Sequence, residues 1–258
     1  MSILHSTQGV AAHTVFEVLA YFVGARVYWL RAARSPRPSQ AADRWLLVAS
    51  VVFGAALGSK TLHVLEHLPW LLEQGTRDDW LSGKSVLGGF IGGTLAVELC
   101  KHAIGWRQST GDAWVLPLAI GLCIGRIGCQ LSGTWDQTYG IPTSLPWGWD
   151  YGDGVARHPT GLYEIVSVIV LTVPLMARFR RHAGARFAAF MTGYCAIRLA
   201  IDFLKPPFGG GDGGAAAGSL PVASVGGLSA IQWAACAGLV GYGLLLRHRL
   251  GDARALPA

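Results

Sequence analysis

Two arginines stand within apolar stretches of the sequence, where a charged side chain is costly. Arg126 lies in the run Gly125-Arg126-Ile127-Gly128, and Arg198 ends the run Tyr194-Cys195-Ala196-Ile197-Arg198. An arginine at membrane depth costs about 2.5–3.5 kcal/mol on insertion scales, so each needs a compensating partner. Because the planar guanidinium fork forms paired, permanently charged hydrogen bonds with phosphate, the two arginines are predicted to hold a phospholipid phosphate.

An internal ion pair is the competing interpretation of Arg198. Asp202 follows it by four residues, so the two side chains would lie one helical turn apart on the same face. Arg126 has no carboxylate at such a spacing. Its neighbours Gly125 and Gly128 would instead let a headgroup or another helix come close to the backbone.

A second polar cluster is the run His158-Pro159-Thr160-Gly161-Leu162-Tyr163-Glu164. Pro159 and Thr160 predict a helix start, which puts His158 at the exterior membrane boundary and Glu164 about one turn inside. His158 is therefore a candidate proton acceptor or phosphate contact. A histidine merely exposed at the interface is the alternative.

Two further motifs are better explained by helix packing or by chance than by a function. The run Gly88-Gly89-Phe90-Ile91-Gly92-Gly93 lacks the lysine-serine ending of a P-loop and is more typical of close helix packing. The run His63-Val64-Leu65-Glu66-His67 matches the HxxEH zinc signature, but no third ligand is evident. We expect neither a metal nor an organic cofactor.

The elements that carry these residues are predicted to be membrane helices. The chain is 52% hydrophobic and only 14% charged, too few charges to cover a water-facing surface. Seven charge-poor stretches approach the roughly 20 residues that cross a bilayer. They are Val15–Leu30, Trp45–His63, Val86–Ile104, Ala113–Leu131, Thr160–Ala177, Phe187–Leu204 and Gly226–Leu246. The sequence predicts one all-α polytopic domain over residues 1–258.

The positions of the basic residues predict the orientation. Arginines and lysines concentrate in the first, third and fifth connections and in the C-terminal tail, which are therefore predicted to be cytoplasmic, with the N-terminus outside. The net charge of +6 follows from this topology and does not indicate a nucleic-acid partner.

Three connections have distinct compositions. Residues 134–159, the cap loop, carry five tryptophans and tyrosines, which favours a small exterior cap over a lipid-accessible site or an interfacial belt without function. Residues 35–42 are typical of a plain linker, and residues 206–217 of a flexible external loop.

Taken as a set, the motifs resemble the prolipoprotein diacylglyceryl transferases of bacterial membranes. The resemblance rests on Gly88-Gly89-Phe90-Ile91-Gly92, on Gly125 to Gly133, on His158 to Glu164, and on Gly193 to Arg198 continuing to Asp202-Phe203. It implies a seven-helix enzyme of the bacterial inner membrane with its site facing the exterior half. Such an enzyme moves the diacylglyceryl group of phosphatidylglycerol to the lipobox cysteine of a preprolipoprotein and releases glycerol phosphate.

The resemblance also implies roles for individual residues. Arg126 and Arg198 would grip the phosphate and stabilise its charge as the carbon–oxygen bond breaks, with His158 as the nearest candidate proton acceptor. Residues expected to bind substrate are Gly88, Gly89, Gly128, Ser132, Gly133, Tyr163, Glu164, Tyr194 and Asp202.

The sequence departs from the family pattern at several polar positions. Leu87 stands where the family has a histidine that is a candidate general base for the attacking thiol, and a leucine accepts no proton. Cys129, Ser132, Thr134 and Gly161 replace two asparagines, an acidic residue and a glutamine. Two alternatives therefore accompany the transferase hypothesis: a paralogue with a different acceptor, and a non-catalytic protein that binds anionic lipid.

Overall fold

The computed structural model describes residues 2–32, 38, 40–81, 83–136, 138–179, 182–206 and 222–252, most of them helical. The helices are α1 Ser2–Ala32, α2 Ala41–Gln74, α3 Arg77–Leu81, α4 Val86–Ala103, α5 Val115–Leu131, α6 Thr160–Ala177, α7 Ala185–Asp202 and α8 Ala230–Asp252. Short 3-10 turns cover Gly111–Ala113 and Gly133–Asp136. Much of the two predicted loops 35–42 and 206–217 lies outside the described residues.

Four described helical segments are long and apolar enough to cross a membrane. They are Ala41–Gln74, Gly111–Leu131, Thr160–Ala177 and Ala230–Gly251. Large apolar side chains are exposed on these helices and on others: Phe22 of α1, Phe53 of α2 and Leu99 of α4 each expose about 70% of their surface. Water-soluble monomers rarely expose apolar surface on this scale, so the fold is that of an all-α membrane protein.

The predicted helices are present with shifted ends. The first begins at Ser2 instead of Val15, the second ends at Gln74 instead of His63, and the last begins at Ala230 instead of Gly226. Ser224–Val225 (β3) and Leu228–Ser229 (β4) pair instead as a small antiparallel hairpin. Gly226 and Gly227 form its turn with φ of +61° and +80°, values that glycine adopts without strain and that a helix cannot contain.

Glycines set the closest helix packing. A Cβ at Gly88 would lie 2.4 Å from the Gly58 carbonyl oxygen, and one at Gly92 would lie 2.3 Å from the Gly54 carbonyl oxygen. Because both helices carry glycines four residues apart, the backbones of α2 and α4 meet directly, as in GxxxG pairs. The glycine run at the start of α4 therefore has a packing role.

The end of α1, the connection before α5, the start of α7 and the end of α8 lie at one end of the bundle. The Gly184 backbone N–H, between α6 and α7, donates to Asp112 at 2.8 Å. A Cβ at Gly184 would also lie 3.4 Å from Nε of Arg249 in α8. Tyr28, near the end of α1, stacks on Trp114 with ring centroids 4.0 Å apart. The cap loop and residues 222–229 lie at the opposite end.

Candidate active site

A carboxylate joins the two predicted arginines. Nη2 and Nε of Arg126 lie 3.1 Å and 2.9 Å from the two oxygens of Glu164. Nη1 of Arg198 donates to Glu164 Oε2 at 3.0 Å, and the Tyr194 hydroxyl donates to Oε1 at 2.9 Å. All four residues are less than 10% exposed. The partner that Arg126 requires therefore comes from α6, a different helix.

Gly161 lets α6 come close enough to α5 for this contact. A Cβ at Gly161 would lie 3.3 Å from Gln130 Oε1 and 3.4 Å from the Arg126 carbonyl oxygen, tighter than most Cβ contacts. Gly161 begins the turn that ends at Glu164, so the small residue and the carboxylate occupy the same stretch of the helix interface. The departure from the family pattern at this position is thus compatible with the arginine network.

Arg198 also forms the ion pair that its sequence spacing allowed. Its Nη2 lies 3.0 Å from Asp202 Oδ1, and the Ser229 hydroxyl donates to Asp202 Oδ2 at 3.2 Å. Arg198 therefore lies between two carboxylates, while Arg126 pairs with Glu164, the carboxylate that the two arginines share. Each guanidinium keeps N–H groups beyond those in ion pairs, since it carries five donors.

The network borders a large elongated cavity of about 2640 Å³. The α2–α4 pair forms one wall and α1 with α5 the other, and the cavity extends from Arg249 at one end to the cap loop at the other. Arg126 and Asp202 line it, whereas Arg198, Glu164 and Tyr194 lie behind them in the protein. A mainly apolar cavity of this length with a polar end suits a lipid with its headgroup beside Arg126.

Lys205 adds a cation at the polar end of the cavity. Its side chain contributes to the lining just after α7. Burial and then the nearby charges of Arg198 and Arg126 lower the pKa of this amine to about 8. Lys205 can therefore gain or lose its charge near neutral pH.

The other predicted site residues fall into two groups. Gly89, Ser132 and Gly133 line the cavity with Cys129. Gly88 and Gly128 instead pack against other helices: a Cβ at Gly128 would lie 2.6 Å from the Phe16 Cβ.

His158 lies apart from the arginines. Its Nδ1 is 3.1 Å from the hydroxyl of Tyr163, which also accepts a hydrogen bond from Trp147 at 2.9 Å. Neither His158 nor Tyr163 lines the large cavity. The histidine and tyrosine thus form a cluster of their own at the entry to α6.

The cap loop lies over the polar end of the cavity. Its strands Trp149–Asp150 (β1) and Ala156–Arg157 (β2) pair antiparallel, and the Tyr151 hydroxyl donates to Gln130 Oε1 of α5 at 3.1 Å. Within the loop, Nη1 of Arg157 lies 2.7 Å from Oδ1 of Asp153, and this ion pair lowers the pKa of the Asp153 carboxyl. Trp135 and Tyr151 contribute to the cavity lining.

Sequence reasoning missed Glu66 and Lys205 as site residues. Glu66 was considered only within the zinc-like motif, yet it lines the cavity that Arg126 lines and is 7% exposed. Among the described residues, no three histidine, cysteine, aspartate or glutamate side chains are grouped to hold a metal. An acidic residue within an apolar helix was the available signal for Glu66.

Comparison with known proteins identifies the family of this chain. Residues 3–246 match the family model described as prolipoprotein diacylglyceryl transferase. The chain is 34% identical to the phosphatidylglycerol–prolipoprotein diacylglyceryl transferase of Nitrosomonas europaea over 60% of this chain and 58% of that one. It is 30% identical to the transferase of that name from Cupriavidus pinatubonensis, over 73% of this chain and 74% of that one.

A third relative of the same name, from Bordetella parapertussis, is 30% identical over 62% of this chain and 64% of its own length. The chain thus matches somewhat less than two thirds of two of these three relatives. The family model nevertheless covers nearly all of the 258 residues. The chain belongs to the prolipoprotein diacylglyceryl transferase family.

Proposed function

We propose that this protein transfers the diacylglyceryl group of phosphatidylglycerol to the lipobox cysteine of a preprolipoprotein, in the bacterial inner membrane. The observation that carries the proposal is the buried Arg126–Glu164–Arg198 network beside a long apolar cavity. The family relationship and the names of the relatives support the same reaction.

The network suits stabilisation of a phosphate leaving group. Arg126 and Arg198 are balanced by Glu164 and Asp202 within the network, and Lys205 beside them adds a positive charge. Arg126 lines the cavity and can present its remaining N–H groups to the phosphate, while Arg198 contributes charge from behind Glu164. Because these charges are fixed before substrate arrives, they can stabilise negative charge that develops on the phosphate without reorganising.

The proposed membrane arrangement has seven crossings, an exterior N-terminus and a cytoplasmic C-terminus. In the part of the chain that the structure describes, seven helices of at least 17 residues support it. The helix ends that flank the basic connections lie at one end of the bundle, and the arginine network lies nearer the other end. The site would then face the exterior half of the membrane, where a preprolipoprotein segment could meet it.

Transfer by the purified chain tests the proposal directly. We expect a lipobox peptide incubated with phosphatidylglycerol and wild-type protein to gain the mass of a diacylglyceryl group in mass spectrometry. Arg126→Ala should lower the rate by at least about 10²-fold, as loss of a preorganised donor does. Arg107→Ala, which removes an exposed arginine from the connection before α5, is the matched control.

Absence of product from wild type, where an authentic family member makes it, would overturn the proposal. Phosphatidylglycerol retained without transfer would then favour lipid binding alone. Transfer to a different nucleophile would favour the paralogue with another acceptor, to which the substitutions at Leu87, Cys129 and Ser132 draw attention.

A further inference from the structure

The position where the resemblance expects a histidine offers no proton acceptor. Leu87 is 1% exposed and belongs to the apolar core with Leu62 and Val168. A thiol becomes a strong nucleophile only as the thiolate, so the proposed reaction needs a group that takes the proton.

Glu66 lies on the neighbouring helix α2, one turn beyond the residue that packs beside Leu87. Leu62, one turn before it on α2, packs against Gly88, where a Cβ would lie 2.7 Å from the Leu62 Cβ. Gly88 is the residue after Leu87, and α2 and α4 are in backbone contact there. Glu66 therefore extends the same face of α2 by one turn, toward the cap-loop end of the bundle.

The Glu66 carboxylate is buried and incompletely satisfied. Among the described residues its Oε2 has no hydrogen-bond partner, although the backbone N–H of Ile231 in the first turn of α8 donates to the carboxylate. Ala223 holds the same residue by its backbone, since its N–H donates to the Glu66 carbonyl at 2.7 Å. A buried acceptor without a donor costs about 1–3 kcal/mol in a folded protein, so its retention calls for a functional reason.

Glu66 also shares the cavity with the proposed phosphate site. Glu66 and Arg126 both line it, and the cationic Arg198 and Lys205 and the anionic Asp202 lie within electrostatic range of the Glu66 carboxylate. One cavity thus contains an acceptor for the thiol proton and a cation for the leaving phosphate.

We propose that Glu66 accepts the proton of the lipobox cysteine thiol, a role that rests on the transferase function proposed above. The S–H proton passes to the free carboxylate oxygen as the sulfur attacks the glycerol carbon that carries the phosphate. The new S–C bond forms while the C–O bond breaks, and its electron pair leaves on the phosphate oxygen of glycerol phosphate. The proton then passes from Glu66 to the released phosphate monoester, which restores the carboxylate.

The test compares two acceptor peptides with the full-length chain. One has the lipobox cysteine and the other has selenocysteine in its place, because a selenol ionises more readily than a thiol and has little need of a base. We expect Glu66→Gln to slow transfer to the cysteine peptide by about 10²–10⁴-fold, which is the usual contribution of a general base to the rate. The same variant should transfer to the selenocysteine peptide at nearly the wild-type rate.

Two further variants and one binding measurement make the result specific. Glu73→Gln makes the same change at an exposed position of α2 and should leave both rates unchanged. Arg126→Ala should slow both peptides, since the leaving phosphate is common to them. Retained phosphatidylglycerol binding by Glu66→Gln, measured by native mass spectrometry, shows that the variant is folded.

Several outcomes would overturn the assignment while leaving the transferase function intact. These are wild-type activity in Glu66→Gln, an equal loss with both peptides, or a selenol-rescued loss in His158→Gln instead. If wild-type protein modifies neither peptide, the transferase function fails and this assignment fails with it.

Discussion

At the residue scale, Glu164 decides how the two arginines are presented. It is 1% exposed and accepts hydrogen bonds from Arg126, Arg198 and Tyr194. Two guanidiniums so near each other would repel strongly in a buried setting if no carboxylate lay between them. Glu164 therefore both lowers the cost of burying the arginines and fixes the direction of their remaining donors.

We expect Glu164→Gln to destabilise the protein by about 3–5 kcal/mol, because the change leaves two buried cations without their shared counter-charge. Denaturant unfolding in detergent micelles would measure the loss. Glu73→Gln, exposed on α2, is the control for the chemical change itself. Equal stability of the two variants would mean that the arginines do not depend on Glu164.

Tyr194 offers a milder test of the same network. Tyr194→Phe keeps the fully buried ring but removes the 2.9 Å hydrogen bond to Glu164. Hydrogen bonds to charged groups contribute about 1.5–3 kcal/mol, so unfolding of this variant should become easier by that amount. A larger loss, close to that of Glu164→Gln, would show that the ring is displaced as well.

Lys205 should make lipid binding depend on pH. With its pKa lowered to about 8, the amine is charged below that pH and neutral above it. The affinity for phosphatidylglycerol should therefore fall as pH rises through about 8, since a neutral amine no longer attracts the phosphate. Equilibrium binding of a fluorescent phosphatidylglycerol analogue in micelles would follow this change.

Variants separate Lys205 from other titrating groups in that experiment. Lys205→Arg keeps its charge throughout the range and should bind equally well on both sides of pH 8. Lys205→Met should bind more weakly and without the step. A step that persists in Lys205→Met would assign the pH dependence elsewhere.

Only part of this residue-scale picture was predictable from sequence. The Arg198–Asp202 pair followed from spacing of four residues, which a helix converts into contact. Arg126 and Glu164 are 38 residues apart and on different helices, so no local pattern links them. The same holds for Glu66 and Leu87, which lie on different helices and are related only through the packing of α2 against α4.

At the element scale, packing between α2 and α4 depends on a few glycines. We predict that two adjacent glycines of α4 differ sharply in how well they tolerate replacement by alanine. A Cβ at Gly92 would meet the Gly54 backbone oxygen at 2.3 Å, whereas one at Gly93 would have its nearest neighbour, the Ala55 Cβ, at 3.5 Å. Backbone atoms cannot move aside as a flexible side chain does. Gly92→Ala should therefore push the two helices apart.

The measurement is thermal unfolding of Gly92→Ala and Gly93→Ala in the same detergent. We expect a clearly lowered Tm for Gly92→Ala, in the manner of overpacking that costs about 1–3 kcal/mol or more. Gly93→Ala should match wild type or exceed it, because alanine is the better helix former. Equal Tm values would contradict the close backbone approach of α2 and α4.

The elements themselves were largely predictable because apolar length is a strong signal. The hairpin at Ser224–Ser229 was not, since its apolar residues continue the composition of α8 and only the glycine pair marks a turn. The end of α2 at Gln74 also lies well beyond the predicted His63, in a stretch whose polar residues conceal the helix.

At the scale of the whole molecule, the distribution of positive charge and the direction of the helices agree. Successive long helices reverse direction, so the end of α1, the connection 104–114, the start of α7 and the end of α8 lie at one end of the bundle. Arginines and lysines concentrate in or beside them. Cytoplasmic connections favour such charges, which is the physical basis of the proposed orientation.

This orientation predicts which parts of the chain are exposed on each side of the membrane. Single cysteines at exposed positions 107 and 154, introduced into a chain whose five native cysteines are replaced, should react oppositely with a membrane-impermeant maleimide. The cysteine of Gly154→Cys, in the cap loop, should be labelled in intact spheroplasts. The cysteine of Arg107→Cys should be labelled only after the membrane is opened. The reverse pattern would place the arginine network and Glu66 in the cytoplasmic half, where a lipobox segment exposed on the outer side could not reach them.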